Sequence, residues 1–485
     1  MQIMLSVLSV FKKIDTVAKK TKTPIYAVGG FARDYLMGVE QNKDIDFVVV
    51  GSGIEFARKL DEAWKQKGSL VEFSDFDTAR YIVGENKETT VLEFAGARVE
   101  KYDKETRKPI VEATTLKEDL ARRDFTVNAM AVSVSDMISV LSLKKKDTSA
   151  IDKVVIDLFN GKKDLKNKVL RTPLDPDKTF SDDPLRMMRC VRFAAQLGFS
   201  AEKTALEAIF RNRERLKIVS AERIQEELLK LLACKQPSIG LILMFQTHLL
   251  DMFLPEVARL DGVEEIYGHQ HKNNLTHTFK VVDNISERTE KVSLRLAGLL
   301  HDIGKFTTKK FFPKIGWTFY QHEHVGKKLT FQISRRLRFS KDLTDYLTKL
   351  VRWHQQPISL MDEGITDSAV RRLIVNLGEE LNDLLILGRS DITTGNPYKK
   401  EQRLKNYDRL EKRIAEVIEK DKLRAFQSPL RGDEIMKLCG LKPGPVVGKI
   451  KEAIEEAILD GKIPNEYEAA KEYFFKIKKI YIKDK

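Results

Sequence analysis

PIYAVGGFARDYLMGVEQNKDIDFVVVG, residues 24–51, reads as strand, helix and strand. The second strand opens with Asp44 and Asp46 flanking Ile45, and alternation along a strand puts both carboxylates on one face. Two carboxylates held side by side repel each other, a cost normally offset by a bound divalent cation. Upstream, Gly29 and Gly30 mark the junction of first strand and helix. There the missing Cβ lets the backbone approach a phosphate, and the new helix presents free N–H groups. Arg33, one turn into that helix, adds a cation. Each feature alone is ordinary, a turn or a strand start. Their order is specific: a triphosphate cradle followed by a two-carboxylate metal site. GSG at residues 51–53 lacks the third glycine of a dinucleotide fingerprint and reads as a turn.

On either side of this stretch the same unit continues. Residues 1–20 read as an amphipathic helix, and TTVLEFAGAR (residues 89–98) as a third strand. The α/β unit closes near residue 150, where KKKDTSA reads as an exposed polar turn. From about residue 180 the text becomes helical by its 3.6-residue periodicity. In 401–423, Leu404, Tyr407, Leu410, Ile414 and Val417 form one apolar stripe on a charged rod. Pro and Gly residues in 426–450 then punctuate short helices. There is no internal repeat and no low-complexity linker.

At 485 residues the chain has room for about three or four domains. Its 42% apolar and 32% charged residues exclude a membrane protein and a disordered chain. Lys and Arg number 85 against 71 Asp and Glu, a net charge of +14 that points to an anionic partner, nucleic acid or membrane surface. No run reaches the roughly 18 apolar residues of a membrane span. The N-terminal apolar residues have no basic region before them, which argues against a signal peptide, so a soluble, cytoplasmic protein is expected. The three cysteines, Cys190, Cys234 and Cys439, are too far apart for a zinc knuckle and odd in number for a disulfide framework. They read as small core residues.

GGFARD followed by DIDFVVVG resembles the head of class II CCA-adding tRNA nucleotidyltransferases and bacterial poly(A) polymerases, within the polymerase β-like superfamily. LARRDFTVNAMAV, with Arg122, Arg123, Asp124, Phe125 and Asn128, resembles the family's second motif, near the sugar and phosphates of the incoming nucleotide. FNGKKDLKNKVLRT resembles the flexible motif after it, DDPLRMMRCVRFAAQLGF the nucleotide-reading helix and SAERIQEELLKLL the neck helix. The resemblance implies an α/β head of the polymerase β-like nucleotidyltransferase fold at 1–150 and a helical, nucleotide- and RNA-binding neck at 151–245. An HD domain at 246–400 and a helical tRNA-binding tail at 401–485 would follow, all of these α-helical. It implies in-line attack of an RNA 3′-hydroxyl on the α-phosphate of CTP or ATP, with Mg²⁺ held by Asp44 and Asp46. Glu93 would be the third carboxylate and activate the hydroxyl.

Asp183, Arg186, Arg189 and Arg192 recur every three residues and stay near one helix face. They could be a surface ion-pair row of little energetic weight. An Arg donor and an Asp acceptor in fixed geometry can also copy the hydrogen-bonding edge of a base. By resemblance Asp183 and Arg186 would read cytosine or adenine, with Arg189 and Arg192 supporting the pocket or the phosphates. Asp182 stands where the family often has Glu.

All eight histidines lie between residues 248 and 354. His277, the adjacent pair His301-Asp302, and Asp391 form a series that resembles the HD phosphohydrolase superfamily. An adjacent His-Asp pair on an apolar helix would be costly to bury without a metal or counter-charge. Imidazole and carboxylate ligands suit Ni, Mn, Fe, Co or Zn. His324 and His354 are expected to complete a second metal position, with His322 as an exposed neighbour and Lys305 near a phosphate. The resemblance allows hydrolysis of 2′,3′-cyclic phosphates or 2′-phosphates. The expected partners are tRNA, CTP and ATP, with no membrane partner. A poly(A) polymerase, an enzyme adding part of CCA, an HD phosphohydrolase with an RNA-recruiting head, and a non-catalytic RNA-binding protein are the alternatives. Fold and catalytic carboxylates do not separate the first two from full CCA addition.

Overall fold

The computed structural model describes residues 7–39, 44–65, 68–84, 89–101, 110–143, 148–267, 269–270, 273–361, 366–421, 429–440 and 444–481. They form two compact units, Met1–Pro255 and Glu256–Lys485.

The first unit opens with strands β1 (Ile25–Val28), β2 (Asp44–Val49), β3 (Ser69–Phe73), β4 (Thr78–Val83) and β5 (Thr90–Gly96). A hairpin of β6 (Arg98–Lys101) and β7 (Ile110–Ala113) follows, then β8 (Met130–Ser133) and β9 (Ile156–Asp157). The main sheet has the order β3-β4-β5-β2-β1-β8-β9. Only β2 and β5 run parallel; every other pair in it is antiparallel. Ile45, Phe47 and Val49 face a core shared with Phe11 and Ile14 of helix Val7–Thr21 and with Phe56 and Leu60 of helix Gly53–Ala63. The Phe47 and Phe94 rings stack at 5.1 Å, and burying each such side chain contributes about 1.5–3 kcal/mol. The alternation that buries these rings turns Asp44 and Asp46 to the opposite face.

The GSG turn is structural. A Cβ on Gly53 would come 2.6 Å from the Phe94 carbonyl. The helix start it opens is occupied by the Asp77 carboxylate, which accepts from Ser52 Oγ at 2.7 Å, Gly53 N at 3.0 Å and Ile54 N at 3.2 Å. The polar turn expected at 144–150 is different from what forms. Residues 144–147 lie outside the described residues, and Thr148–Val154 is a helix whose Ile151 is fully buried in the head core. With β9, the head sheet gains its last strand beyond residue 150.

Helix Leu185–Leu197 follows, with Met187, Met188, Cys190, Val191 and Ala194 fully buried. Helices Ala221–Leu232 and Pro237–Gln246 pack against it. In the second unit, helices Asn274–Ser286, Val292–Leu300, His322–Arg336, Lys341–Trp353 and Leu381–Ser390 supply or back the histidine cluster. The rod Pro397–Asp421 buries Tyr407, Leu410, Ile414 and Val417, four of the five stripe residues. The last three helices enclose a small core of Leu430, Ile435, Ile450, Ile454 and Phe474. Cys190 and Cys234 are buried, Cys439 is partly buried, and all three are free thiols. Among the described residues no helix is long and apolar enough to cross a membrane.

Candidate active sites

Asp46 pairs in register with Glu93 across β2 and β5, and Glu93 with Arg80 across β5 and β4. With Asp44 two residues before Asp46, three carboxylates share one sheet face. Asp46, like Asp44, is exposed on that face. Its carboxyl is pushed above the usual range by desolvation first, then by Glu93 and Asp44, against the pull of Arg123. A row of hard oxygen donors whose mutual repulsion raises a pKa fits a divalent cation. Glu93 is held by Arg80 at 2.6 Å. Gly29 has φ +69°, and a Cβ there would lie 3.3 Å from Arg123 Nη1 and 3.6 Å from Asp46 Oδ2. This glycine therefore serves both a left-handed turn and a close approach.

Arg33 does not point freely into the cradle. It is buried, donating from Nε to Asp34 at 2.8 Å and from Nη1 to Asn128 Oδ1 at 2.7 Å. Asn128 in turn donates to Asp124 at 3.0 Å. Arg122 and Arg123 bracket the fully buried Asp119 at 2.6 and 3.1 Å. The buried Nε of Arg123 has no hydrogen-bond partner, and its guanidinium borders Asp46 and Gly29.

Arg189 donates twice to Asp124, at 2.8 and 2.5 Å, fastening helix Leu185–Leu197 to the head. Burial would raise the Asp124 pKa, but Arg189 and the Asn128 amide outweigh it and bring it down to about 2. Arg192 bonds Glu227 at 2.7 Å and lies 4.0 Å from the Phe193 ring centroid. Both arginines are thus engaged by protein groups. Asp183 and Arg186 stand one turn apart at the head of the same helix, and Arg186 has a single long side-chain bond, 3.4 Å to the Thr179 carbonyl. Arg80, Asp119 and Glu227 escaped sequence reading, because each acquires its role from a partner distant along the chain or on another strand.

In the second unit four histidines aim Nε2 at one carboxylate. His277 and His301 approach Asp302 Oδ2 at 3.5 and 3.2 Å, and His322 and His354 approach Oδ1 at 3.4 and 3.6 Å. Asp391 Oδ1 lies 2.9 Å from His277 and 3.6 Å from His301. Each Nδ1 is tied outward: His277 to Thr393 Oγ1, His301 to the Gly298 carbonyl, His322 to that of Phe319 and His354 to that of Val351. Such outer bonds select the tautomer that leaves Nε2 free to ligate. Among the described residues the ligand-distance clusters are His277, His301, Asp302 and Asp302, His322, His354. Buried His301 Nε2 and Asp302 Oδ1 have no hydrogen-bond partner despite these approaches, which fits cations on both sides of Asp302.

The side chain of His324 is 53% exposed and faces away. The expected second position is therefore corrected: His322, 6% exposed, takes the place assigned to His324. The two are 200° apart on the helix that both share, so only one can face the cluster. Burial alone would lower the His301 pKa, but Asp302 and Asp391 carry it up to about 10. His277 also shifts upward, with burial opposing Asp302 and Asp391. Asp302 is held well below the carboxylate range, as His301 and Lys305 outweigh its burial. Burial, with the His301 charge, pushes His354 down. Lys305 Nζ sits 2.5 Å from Asp302 Oδ2.

Residues 25–171 match the family described as Poly A polymerase head domain, and 198–260 that described as Probable RNA and SrmB-binding site of polymerase A. Residues 274–410 match the HD domain. The chain is 30% identical over 462 residues to the CC-adding tRNA nucleotidyltransferase of Thermus thermophilus, covering 93% of each. It is 30% identical to the A-adding tRNA nucleotidyltransferase of Deinococcus radiodurans over 363 residues, 73% of this chain and 78% of that one. The fold aligns with the Bacillus stearothermophilus CCA-adding enzyme in complex with CTP at a TM-score of 0.63 and 20% identity, over 99% of both chains. The family implies a divalent cation in the head, and the carboxylate row beside Gly29 fits one. The chain belongs to the class II CCA-adding and poly(A) polymerase family, with head, RNA-binding neck and HD domain, and is a tRNA nucleotidyltransferase.

Proposed function

We propose that the enzyme adds C, C and A to tRNA 3′ ends without a template. The observation that carries the chemistry is the row Asp44, Asp46 and Glu93 beside Gly29 and the unpartnered Nε of Arg123. Mg²⁺ held by Asp44 and Asp46 would supply charge neutralisation at the triphosphate and polarise the attacking hydroxyl. Glu93 takes the proton of that hydroxyl once Arg80 releases it. Arg123 and the Gly29-Gly30 backbone hold the triphosphate in line, and pyrophosphate leaves. Asp183 accepts and Arg186 donates to the base edge, which suits either CTP or ATP. Arg33, Arg122, Asp124, Asn128, Arg189 and Arg192 keep that pocket in place through the bonds given above. A tRNA substrate puts the enzyme in the cytoplasm.

The division into head at 1–150, neck at 151–245, HD domain at 246–400 and tRNA-binding tail at 401–485 is part of this reading. Relatives that add CC or A alone make partial addition the competing one. The test uses tRNA transcripts ending before C74, after C74 and after C75, given CTP, ATP or both. Growth that stops at A76 supports CCA addition. A stop after C75 or addition of the final A alone replaces it with partial addition, and a ladder of A residues with poly(A) synthesis.

A second activity is favoured by the shared Asp302: an HD phosphohydrolase with Ni, Mn, Fe, Co or Zn held by His277, His301, Asp302 and Asp391, and by His322 and His354. Asp44→Ala should abolish nucleotide addition and spare phosphoester hydrolysis, and Asp302→Ala should do the reverse.

A further inference from the structure

The ligands Asp302 and His322 are joined by KFTTKKFFPKIGWTFYQ, residues 305–321, a segment with no acidic residue. Its strands Lys310–Phe312 and Gly316–Thr318 pair as a hairpin. Contacts along it fall into two groups, one at the cluster and one on the hairpin. Lys305 Nζ, bound to Asp302, is 5.6 Å from the Phe319 ring centroid, and the Phe319 carbonyl meets His322 Nδ1 at 2.8 Å. Lys309 Nζ, which also pairs with Glu264, lies 4.5 Å from the Trp317 ring. Trp317 meets Phe311 edge-on at 5.3 Å, and Phe311 meets Tyr267 at 6.2 Å. The hairpin group ends in the open at Tyr267, 86% exposed, and Tyr320, next in sequence to Phe319, is 67% exposed.

Two exposed tyrosines accompany a segment that carries four lysines and no acid, a surface suited to an anionic partner with flat groups. Ring faces stack on bases, and interleaved ammonium groups hold the phosphates between them, which is the chemistry of a single-stranded nucleic-acid platform. We infer that this hairpin is a stacking platform for single-stranded RNA, placing a phosphate ester at the RNA end against the histidine–aspartate cluster. The inference rests on the phosphohydrolase reading of that cluster. In the step it serves, water oxygen bonds to phosphorus, one ester P–O bond breaks, and the proton goes to the departing ribose oxygen.

The experiment uses the full chain loaded with Mn²⁺ and two substrates, an RNA hexamer ending in a 2′,3′-cyclic phosphate and bis(p-nitrophenyl) phosphate. The hexamer should be preferred in kcat/KM. In Tyr267→Ala and Tyr320→Ala that preference should fall about tenfold, through KM. Trp317 gives a readout independent of turnover: the hexamer should quench its fluorescence, measured as the difference between wild type and Trp317→Phe, and less so in the tyrosine variants. Hydrolysis of the small ester with no preference for RNA overturns the platform. If neither ester is hydrolysed, the phosphohydrolase reading fails and quenching alone decides the platform. Absence of quenching overturns it in every case and leaves the face to a protein partner.

Discussion

The Asp124 carboxylate spends both oxygens on protein groups, Oδ2 on Arg189 and Oδ1 on Asn128 and the Phe125 N–H. Its folded pKa of about 2 lies below the ordinary 3.8, so the stability it supplies is present above the unfolded value and lost as pH falls through the folded one. Urea denaturation should show wild type losing about 2 kcal/mol of its advantage over Asp124→Asn between pH 5 and pH 2. In the second unit the informative pair is His322 and His324. Metal analysis should find His322→Ala short of one bound cation and His324→Ala at the wild-type content, since one ring is buried against Asp302 and the other is in solvent. The motif HEH shows both rings to a reader of the sequence. Which one faces inward depends on how its helix is rotated against Lys341–Trp353, which carries His354 next to its end, and the local pattern does not record that.

At the scale of elements, the turn at Gly29 joins β1 to its helix with φ +69° and ψ −133°, a conformation that costs other residues about 1–3 kcal/mol. Gly29→Ala should lower nucleotide addition more than it lowers the denaturation midpoint, because the new methyl also crowds Arg123 beside Asp46. Asp77 makes the opposite kind of contribution. It closes the start of helix Gly53–Ala63, and Asp77→Ala should cost about 1–2 kcal/mol in denaturant. Gly-Gly and Asp-x-Asp were legible because a strand's two-residue period constrains both faces at once. Arg80 was not, since its place beside Glu93 exists only when β4 pairs with β5.

Across the molecule, the carboxylate row lies in the first compact unit and the histidine cluster in the second. The net charge of +14 suits an anionic ligand. Raising salt from 50 to 200 mM should weaken tRNA binding at least about tenfold in a filter or anisotropy titration, through counterion release. The resemblance of the ordered motifs already pointed to the family, and strand alternation and adjacency singled out the acidic dyad and the His-Asp pair, because these depend on neighbours within a few residues. Long-range packing decided the rest: that Arg189 and Arg192 serve Asp124 and Glu227, that Asp302 is shared by two ligand clusters, and that His322 belongs there. A side chain's partner across space is set by how whole elements pack, and the identities of its neighbours along the chain leave that open.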